Sequence, residues 1–513
     1  MEASRCGVGW EALGAAMAAS EASAGAGRHA AVGATLLDRF DATLGDGIER
    51  ALMSHHVRRL RRRGRLEALI PTSEGLWART AGAPLRSGNS LEVLIDGANA
   101  LPAMVDAMRR ATRSVHICSW HLQPDFLVER GDRHPLTIRN LLADLAERVH
   151  VRVLQWAGAP LPVFSPRRDQ VKRAREELVR GTRIRAHLDA CTRLMHCHHE
   201  KVLIVDGELA FVGGIDFTAL AGDRYDFPGH PVQSMGWHDA TARLRGPIVR
   251  DVQAHFALRW GAVTGEALEL PEPEPAGDVE AQFVRTVPET AYRVLHHGEF
   301  SVLEAYMRAL RSARRLIYLE NQFLWSPEIV DVLEGKLRNP PADDFRLVVL
   351  LPQRANNGQD DTKGMLGRLV EADDGAGRFL GATIQSRTGD RSGPLYVHAK
   401  IGVVDDHWLA IGSANLNEHS LFNDTEVDVI TCDPLLARDT RLRLWAEHLE
   451  RAREEVDDEP ARVIDELWRP IASEQLARRR AGLPMTHHLL ELPGVSRRAG
   501  RLLGPVNALV VDA

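Results

Sequence analysis

The chain has 513 residues and a mass of 56.8 kDa, more than one hydrophobic core usually organises, so we expect at least two core-forming units. Its 44% hydrophobic and 26% charged residues are typical of a globular protein and exclude a disordered, collagen-like or coiled-coil chain. The formal net charge of −6 is evidence against a protein built mainly to bind nucleic acid.

The cysteines and the hydropathy of the chain indicate the cellular compartment in which the protein is expected. The five cysteines are scattered and odd in number, which does not fit a disulfide framework and favours a reducing environment. No stretch approaches the roughly 20 apolar residues of a membrane-spanning helix. We therefore expect a cytoplasmic protein, with at most a peripheral place at the inner face of the membrane.

The chain divides into segments of different composition. Six segments are predicted in chain order: a disordered start at 1–34, a helical N-terminal extension at 35–90, a first lobe at 91–263, a Pro/Glu linker at 264–285, a second lobe at 286–460 and a C-terminal extension at 461–513. The basic run RRLRRRGR, which starts at Arg58, is either a solvated helix face or a patch facing anionic lipid or phosphate.

The two predicted lobes repeat one order of elements. Helices are predicted at 101–111, 136–149 and from Arg168 in the first lobe, and at 301–313, from the N-cap Ser326 and at 363–372 in the second. Strands alternate with these helices in both lobes. The pattern predicts an α/β fold of two pseudo-symmetric lobes, each a mixed β-sheet flanked by helices on both faces.

Each lobe also carries the same short motif. H-x-K-x-x-x-x-D is spelled by His199, Lys201 and Asp206 and again by His398, Lys400 and Asp405. The whole chain has only five lysines, Lys172, Lys201, Lys336, Lys363 and Lys400, so two such matches by chance are improbable. A glycine follows each motif aspartate at the same distance, at Gly213 and Gly412.

These residue types suit phosphodiester cleavage. Residues two apart on a strand share a face, so we expect each His beside its Lys. Two converging lysines neutralise the charge that builds on phosphoryl oxygens, while one imidazole attacks phosphorus and the other protonates the leaving alkoxide. Each imidazole needs a carboxylate that holds its tautomer, and the next strand of each lobe offers one, Asp239 and Glu426.

With these residues the chain resembles the phospholipase D superfamily, whose signature is the doubled motif. The resemblance extends over residues 91–451 and includes the segments GGIDF, RYDF, WHDATARLRGP, YLENQF, YVHAKIGVVDD and GSANLN. It implies one active site at the interface of the two lobes and metal-independent cleavage through a phosphohistidine. By position, His199 is the nucleophile and His398 the general acid, or the reverse.

The resemblance also assigns the remaining site residues. The residues that it implies for phosphate binding are the two lysines, Ser413, Asn415, Gly213 and Gly214. Asp206 and Asp405 complete the catalytic motifs, although their places at strand ends suit support of loops better than contact with substrate. Asp216 departs from the pattern, since many superfamily members have Asn there. Because a carboxylate beside a phosphate is unfavourable, we expect Asp216 to hydrogen-bond structure instead.

No metal or cofactor is expected. Five residues are candidate zinc ligands, Cys191, His196, Cys197, His198 and His238, but no cysteine pair has the spacing of a structural site. His196 and His198 are expected at the rim of the active site or in packing.

Three functions remain open. The first is a phospholipase D acting on phospholipids with water or an alcohol as acceptor, and the second is a cardiolipin synthase-like phosphatidyltransferase. The third, a nucleic-acid phosphodiesterase, is disfavoured by the net charge and the lipase-like segments. We expect a monomer that contacts a membrane surface transiently and has no nucleic-acid partner.

Overall fold

The structure, a computed structural model, describes residues 36–130, 135–161, 164–193, 196–220, 222–227, 229–232, 235–354 and 359–492. The predicted disordered start at 1–34 lies outside them. The chain forms two compact units, Met1–Thr43 and Leu44–Ala513. Of the first, residues 36–43 are described, as the start of the helix Leu36–Arg63. All features below belong to the second unit.

Strands and helices alternate through both halves of the chain, as predicted. The strands of the first half are β1 Arg86–Ile95, β2 Ser114–Ser119, β3 Leu127–Glu129, β4 Leu136–Thr137, β5 His150–Trp156, β6 Arg185–Asp189, β7 Lys201–Val205, β8 Leu209–Gly213, β9 Gly236–His238 and β10 Ala240–Arg245. Those of the second half are β11 Val279–Val287, β12 Glu299–Phe300, β13 Leu316–Glu320, β14 Arg346–Leu350, β15 Phe379–Ile384, β16 Ser386–Thr388, β17 Arg391–Gly393, β18 Leu395–Val397, β19 Ile401–Val404, β20 Trp408–Gly412, β21 Glu426–Thr431 and β22 Leu489–Glu491.

Helices cover the strands. The α-helices span Leu36–Arg63, Gly97–Arg109, Ile138–Ala146, Arg168–Val179, Ile248–Thr264, Ser301–Ser312, Pro327–Arg338, Gln359–Asp373, Pro434–Leu449, Arg453–Val456, Pro460–Val463 and Arg469–Arg480. Ser326 caps one of them as predicted, since its side chain accepts a hydrogen bond from the Ile329 amide and Pro327 occupies the first turn.

The main strands form one continuous sheet, which is 16-stranded within the described residues. Its order is β6-β5-β2-β7-β8-β10-β1-β11-β21-β20-β19-β13-β14-β15-β22, with β12 beside β11. Read outward from the antiparallel pair β1 and β11, the two sides repeat the same sequence of partners. The two predicted lobe sheets are therefore the halves of a single sheet.

The core follows the alternation of side chains along the strands. In β7, Val202 and Ile204 face a core shared by both halves, while Leu203 and Val205 face the helices of the first half. The shared core includes Phe256 of the helix Ile248–Thr264, whereas the outer face of the second half has its own cluster. Period-two burial on both faces is what a sheet covered by helices requires.

Three predicted segment boundaries need correction. Strand β1 begins at Arg86, inside the predicted N-terminal extension, and β11 begins at Val279, inside the predicted linker. β1 and β11 pair with each other and so connect the two halves of the sheet. No sequence pattern beside either strand indicates that it is there. In the C-terminal extension, β22 pairs with β15 and so adds a strand to the sheet.

The two motif aspartates fasten the loop before a neighbouring strand. Asp206 accepts hydrogen bonds from the backbone amides of Thr112, Arg113 and Ser114 at 2.7–2.8 Å. Asp405 does the same for residues 314–316, with three distances of 2.7 Å. Both aspartates lie at the far end of their strands from the motif histidines. Their inclusion among the catalytic residues is therefore wrong, and their support of loops is the correct interpretation.

We expect Asp206→Ala to lower the free energy of unfolding by about 1–2 kcal/mol, because it leaves backbone donors of the 112–114 loop without their acceptor. Any catalytic rate of the folded protein should stay within about threefold of wild type. Chemical denaturation and initial-rate assays measure the two quantities. Asp405→Ala is the matched variant in the other half. A loss of kcat as large as that of a histidine variant, with stability unchanged, would show that the motif aspartate is catalytic after all.

Candidate active site

The two motif histidines lie together between the halves of the chain. The ring centroids of His199 and His398 are 6.4 Å apart, and the rings meet at 66°. His199 and His398 are 6% and 4% exposed, so both imidazoles are buried. The sequence-based prediction that the two motifs share one site agrees with this placement.

Each histidine is held by a carboxylate from the opposite half. Nδ1 of His199 lies 2.9 Å from Oε1 of Glu426, and Nδ1 of His398 lies 2.6 Å from Oδ2 of Asp239. The sequence identified both carboxylates but not this crossing. With Nδ1 engaged in both rings, Nε2 is the nitrogen left for chemistry.

Backbone pairing explains the crossing. Strand β18, which leads to His398, runs parallel to β9, which leads to Asp239. In the other direction, the amide of His199 donates to the carbonyl of Thr425, the residue before Glu426, at 3.0 Å. Each motif therefore enters the site beside the carboxylate strand of the other half.

Both lysines lie in the site and are buried. The ammonium of Lys201 donates to the carbonyl of His199 and lies 6.0 Å from the Trp120 ring centroid. That of Lys400 donates to the carbonyl of His398 at 2.5 Å and to Oε1 of Gln322 at 3.1 Å. The histidines and Lys400 precede the regular strands β7 and β19, so the two-residue strand spacing was only a partial guide to this geometry.

The predicted phosphate-binding residues divide into two groups. Asn415 is fully buried in the site, its amide donates to Gln322 at 3.4 Å, and its Oδ1 has no hydrogen-bond partner among the described residues. Ser413 instead donates its hydroxyl to Glu426, so it helps to position that carboxylate.

The assignment of Gly213 and Gly214 to phosphate binding is wrong. The amide of Gly214 already donates to the carbonyl of Ala240 at 3.0 Å. A Cβ atom at Gly214 would come within 2.1 Å of Oδ1 of Asp239, and one at Gly213 within 2.4 Å of the Ala240 carbonyl. These glycines are needed because β10 and Asp239 pass close to the backbone.

The prediction for Asp216 is confirmed. Its carboxylate accepts from the Ser119 hydroxyl at 2.6 Å and from the amides of Trp120 and His121 at 3.1 and 3.0 Å. The carboxylate of Asp216 is thus hydrogen-bonded to the end of β2 and the loop after it.

The two histidine–carboxylate pairs differ in electrostatics. Burial raises the pKa of Asp239 to about 6, although Lys400 and Arg224 pull it down. Burial also raises the pKa of Glu426, but His199 and the Lys201 ammonium outweigh it and leave that pKa below its usual value. For His398, burial and the neighbouring cations hold the pKa well below the usual range. An anionic substrate is therefore favoured in a site that concentrates buried positive charge.

Three site residues were missed at the level of sequence. Gln322 bridges Lys400 and Asn415, Trp120 packs edge-on to His199 at 6.3 Å, and the Arg224 guanidinium stacks on Trp237. Gln322 and Arg224 lie in YLENQF and RYDF, segments that carry the family resemblance, and that was the available signal. Trp120 follows a buried strand and carries no such signal.

The zinc set considered from the sequence is not one cluster. His196 lies with His419 and Asp424, while His198 pairs with Asp189 at 3.2 Å. His238 belongs to a third group, described below.

Among the helices that the structure describes, none has the length and apolar character of a membrane-spanning segment.

The fold and the site define a class of protein: a duplicated α/β chain with a two-histidine, two-lysine cluster at the junction of its halves. The family model described as Phospholipase D matches residues 377–503, which include the second motif. The chain is thus similar to the phospholipase D family over the second motif, and the curated relatives that it matches are phospholipases D and a cardiolipin synthase.

Individual relatives are distant. Phospholipase D A of Dictyostelium discoideum is 25% identical over 71% of this chain and 36% of that protein, and a Geobacillus cardiolipin synthase is 23% identical over 73% and 68%. The crystal structure of phosphatidylserine synthase from Haemophilus influenzae Rd KW20 matches with a TM-score of 0.48 and 12% identity, over 75% of this chain and 94% of that one. The chain spans about a third to a half of the length of the phospholipases D that it matches first.

Proposed function

We propose that this protein cleaves the head-group phosphodiester of phospholipids through a phosphohistidine and passes the phosphatidyl group to water or a primary alcohol. The observation that carries the proposal is the pair of adjacent imidazoles, each with a carboxylate on Nδ1. Their ring centroids are 6.4 Å apart, which supports the proposal that one phosphoryl group is reached by both imidazoles.

The first half-reaction forms a covalent bond to one histidine. Nε2 of His199 attacks phosphorus, the bond from phosphorus to the head-group oxygen breaks, and the imidazolium of His398 gives its proton to that oxygen. The negative charge of the bound phosphodiester raises the low pKa of His398 and so favours this protonated form. The two lysines stabilise the charge on the non-bridging oxygens, and Glu426 stabilises the substituted imidazole. The roles of the two histidines can also be exchanged, since each has a carboxylate on Nδ1 and a lysine that donates to its carbonyl.

The second half-reaction restores the enzyme. His398, now neutral, takes the proton of a water or alcohol whose oxygen attacks phosphorus, and the bond from phosphorus to His199 breaks. Water yields phosphatidic acid, and an alcohol yields a phosphatidyl alcohol. Asp239 holds the His398 tautomer in both steps.

A second candidate is phosphatidyl transfer between lipids, as the name of the Geobacillus relative indicates. That alignment covers 73% of this chain and 68% of the relative. The same two half-reactions would serve, with the hydroxyl of a glycerol-containing lipid as the acceptor.

The test is a panel of purified phospholipids, offered with and without ethanol, beside phosphatidylglycerol alone and a labelled oligonucleotide. Head-group release together with phosphatidylethanol supports the phospholipase D proposal. Cardiolipin from phosphatidylglycerol alone, with little hydrolysis, supports the second candidate. Cleavage of the oligonucleotide without any turnover of lipid would overturn both.

We also propose that the protein meets its substrate as a peripheral membrane protein. The exposed side chains of Arg58, Arg61 and Arg62 at the end of the first helix can face anionic head groups. Sedimentation with phosphatidylglycerol vesicles tests this proposal. Binding that Arg61→Glu weakens supports it, and equal recovery with neutral and anionic vesicles contradicts it.

A further inference from the structure

A second group of titratable side chains lies buried next to the candidate active site. It consists of Asp96, His230, His238 and Glu447, here called the buried cluster. One potential metal-ligand atom of each lies within 4.8 Å of those of the others. The first three residues are fully buried, and the side chain of Glu447 is 12% exposed. None of the steps proposed above uses these four side chains.

The inner atoms of the buried cluster are unsatisfied. Among the described residues, Oδ2 of Asp96, Nε2 of His230 and Oε1 of Glu447 have no hydrogen-bond partner. Nε2 of His230 and Oε1 of Glu447 lie 3.0 Å apart but without the alignment that a hydrogen bond requires. A buried polar atom without a partner costs about 1–3 kcal/mol, so three in one place call for an explanation. A cation bound by Nε2 of His230 and Oε1 of Glu447 would satisfy both of those atoms.

The outer atoms of the two histidines are held as in known metal sites. Nδ1 of His230 donates to Asp226 at 3.0 Å, and Nε2 of His238 donates to Glu320 at 2.9 Å. Metal-binding histidines usually donate their other ring nitrogen to a carboxylate, which fixes the tautomer. Glu320 is fixed in turn, because His448 donates to its other oxygen at 2.9 Å.

We propose that the buried cluster binds one structural Zn²⁺ ion through Asp96, His230, His238 and Glu447. Two imidazoles and two carboxylates suit zinc, and four protein ligands in a closed site are typical of a structural role. Tetrahedral ligands at about 2.0–2.1 Å from zinc lie about 3.3 Å apart. The three ligand–ligand distances found here, 2.9, 3.0 and 3.7 Å, bracket that value.

The competing arrangement is a network without metal, in which both imidazoles are protonated and pair with the surrounding carboxylates. It accounts for the outer hydrogen bonds equally well. Both arrangements leave Oδ2 of Asp96 without a partner, but the network does not explain the misalignment between His230 and Glu447. Zinc accounts for this misalignment, because Nε2 of His230 and Oε1 of Glu447 would both bind the ion rather than each other, which is why the geometry favours it.

The proposed ion would join the two halves of the chain beside the catalytic residues. Asp96, His230 and His238 come from the first half and Glu447 from the second. The amide of Asp96 donates to the carbonyl of Asp239 at 2.8 Å, and the amide of His398 donates to the carbonyl of His238 at 2.8 Å. Zinc here would fix the backbone on which Asp239 and His398 are placed, without touching substrate. The proposal does not depend on the identity of the substrate.

The first test is the metal content of the wild-type protein. The full chain, produced in zinc-supplemented medium and purified without a metal-affinity step, is measured by inductively coupled plasma mass spectrometry. We expect one zinc ion per chain, a lower Tm after removal of zinc by a chelator in mild denaturant, and recovery of the Tm with Zn²⁺ but not with Mg²⁺. A chain that holds no zinc as purified and takes up none on reconstitution would overturn the proposal.

The second test uses variants at the site and a matched control. His230→Gln and Glu447→Gln should each lose zinc, and Co²⁺ should fail to give the visible absorption of a tetrahedral site in them. His255→Gln is the control, because His255 is equally buried and bonded to Glu200 but lies outside the buried cluster. Full zinc content in both cluster variants would contradict the proposal. Should they fail to fold, the wild-type measurement still decides.

Discussion

Replacing His199 or His398 with Asn is expected to lower kcat by at least about 10⁴-fold, because Asn can neither form the phosphoryl bond nor carry the proton. The loss should appear in kcat rather than in KM, since the lysines that bind phosphate remain. Initial rates on the best lipid of the panel measure it. His187→Asn, on the edge strand β6, is the control and should keep near wild-type activity. A histidine variant that retains a tenth of the activity would contradict the two-histidine mechanism.

The same two variants reveal which histidine is the nucleophile. In the variant that lacks the general acid, the remaining histidine still attacks a substrate with a good leaving group, and the phosphoryl adduct then accumulates because no base activates water. In the variant that lacks the nucleophile, no adduct forms. Intact-protein mass spectrometry after mixing with a nitrophenyl phosphodiester lipid distinguishes the two. Accumulation in both variants, or in a double variant, would point to a different nucleophile.

Loss of the orienting carboxylates is the second large expected effect. Asp239→Asn and Glu426→Gln keep the size of each side chain but present an amide that cannot stabilise an imidazolium, and a reduction in kcat of about 10²–10⁴-fold follows. The reduction is smaller than for the histidines because the reacting nitrogens stay in place. Ser413→Ala, which removes one hydrogen bond to Glu426, should cost less than Glu426→Gln.

The crossing of these pairs gives the carboxylate variants a specific signature. Asp239→Asn should change the ring ¹⁵N shifts of His398, its partner from the other half, and leave those of His199 unchanged; Glu426→Gln should do the reverse. NMR on histidine-labelled protein measures the tautomer directly. If Asp239→Asn altered only His199, which belongs to the same half, the crossed arrangement would be wrong.

Much of this fold was predictable because local patterns determine it. The alternation of apolar residues in Lys201–Val205 and Ile401–Val404, the cap at Ser326 and the repeated order of elements are all properties of neighbouring residues. The doubled motif, unusual in a chain with five lysines, placed both histidines and both lysines in one site.

The remaining features depend on contacts between distant parts of the chain. The pairing of β1 with β11 places Arg86 opposite Ala281, and no local sequence pattern predicts this pairing. The crossing of Asp239 to His398 follows from the pairing of β9 with β18, and the same holds for Glu426. Gly214 was assigned to phosphate binding because it sits beside the motif, whereas its conformation serves the close approach of Asp239.

The buried cluster shows the same limit. Its four residues come from separate segments, and no pair has the spacing of a known zinc motif. Only the fold brings Asp96 and Glu447 together with the two histidines. A motif search therefore passes over this group, although His230 and His238 lie close to segments that carry the family resemblance.

The stereochemical course at phosphorus tests the central proposal most directly. A phospholipid made chiral at phosphorus by sulfur and an oxygen isotope is converted with ethanol, and the configuration of the phosphatidylethanol is read by ³¹P NMR. Two in-line displacements, one by a histidine and one by the alcohol, predict overall retention of configuration. Inversion would show a single direct displacement and would contradict the phosphohistidine.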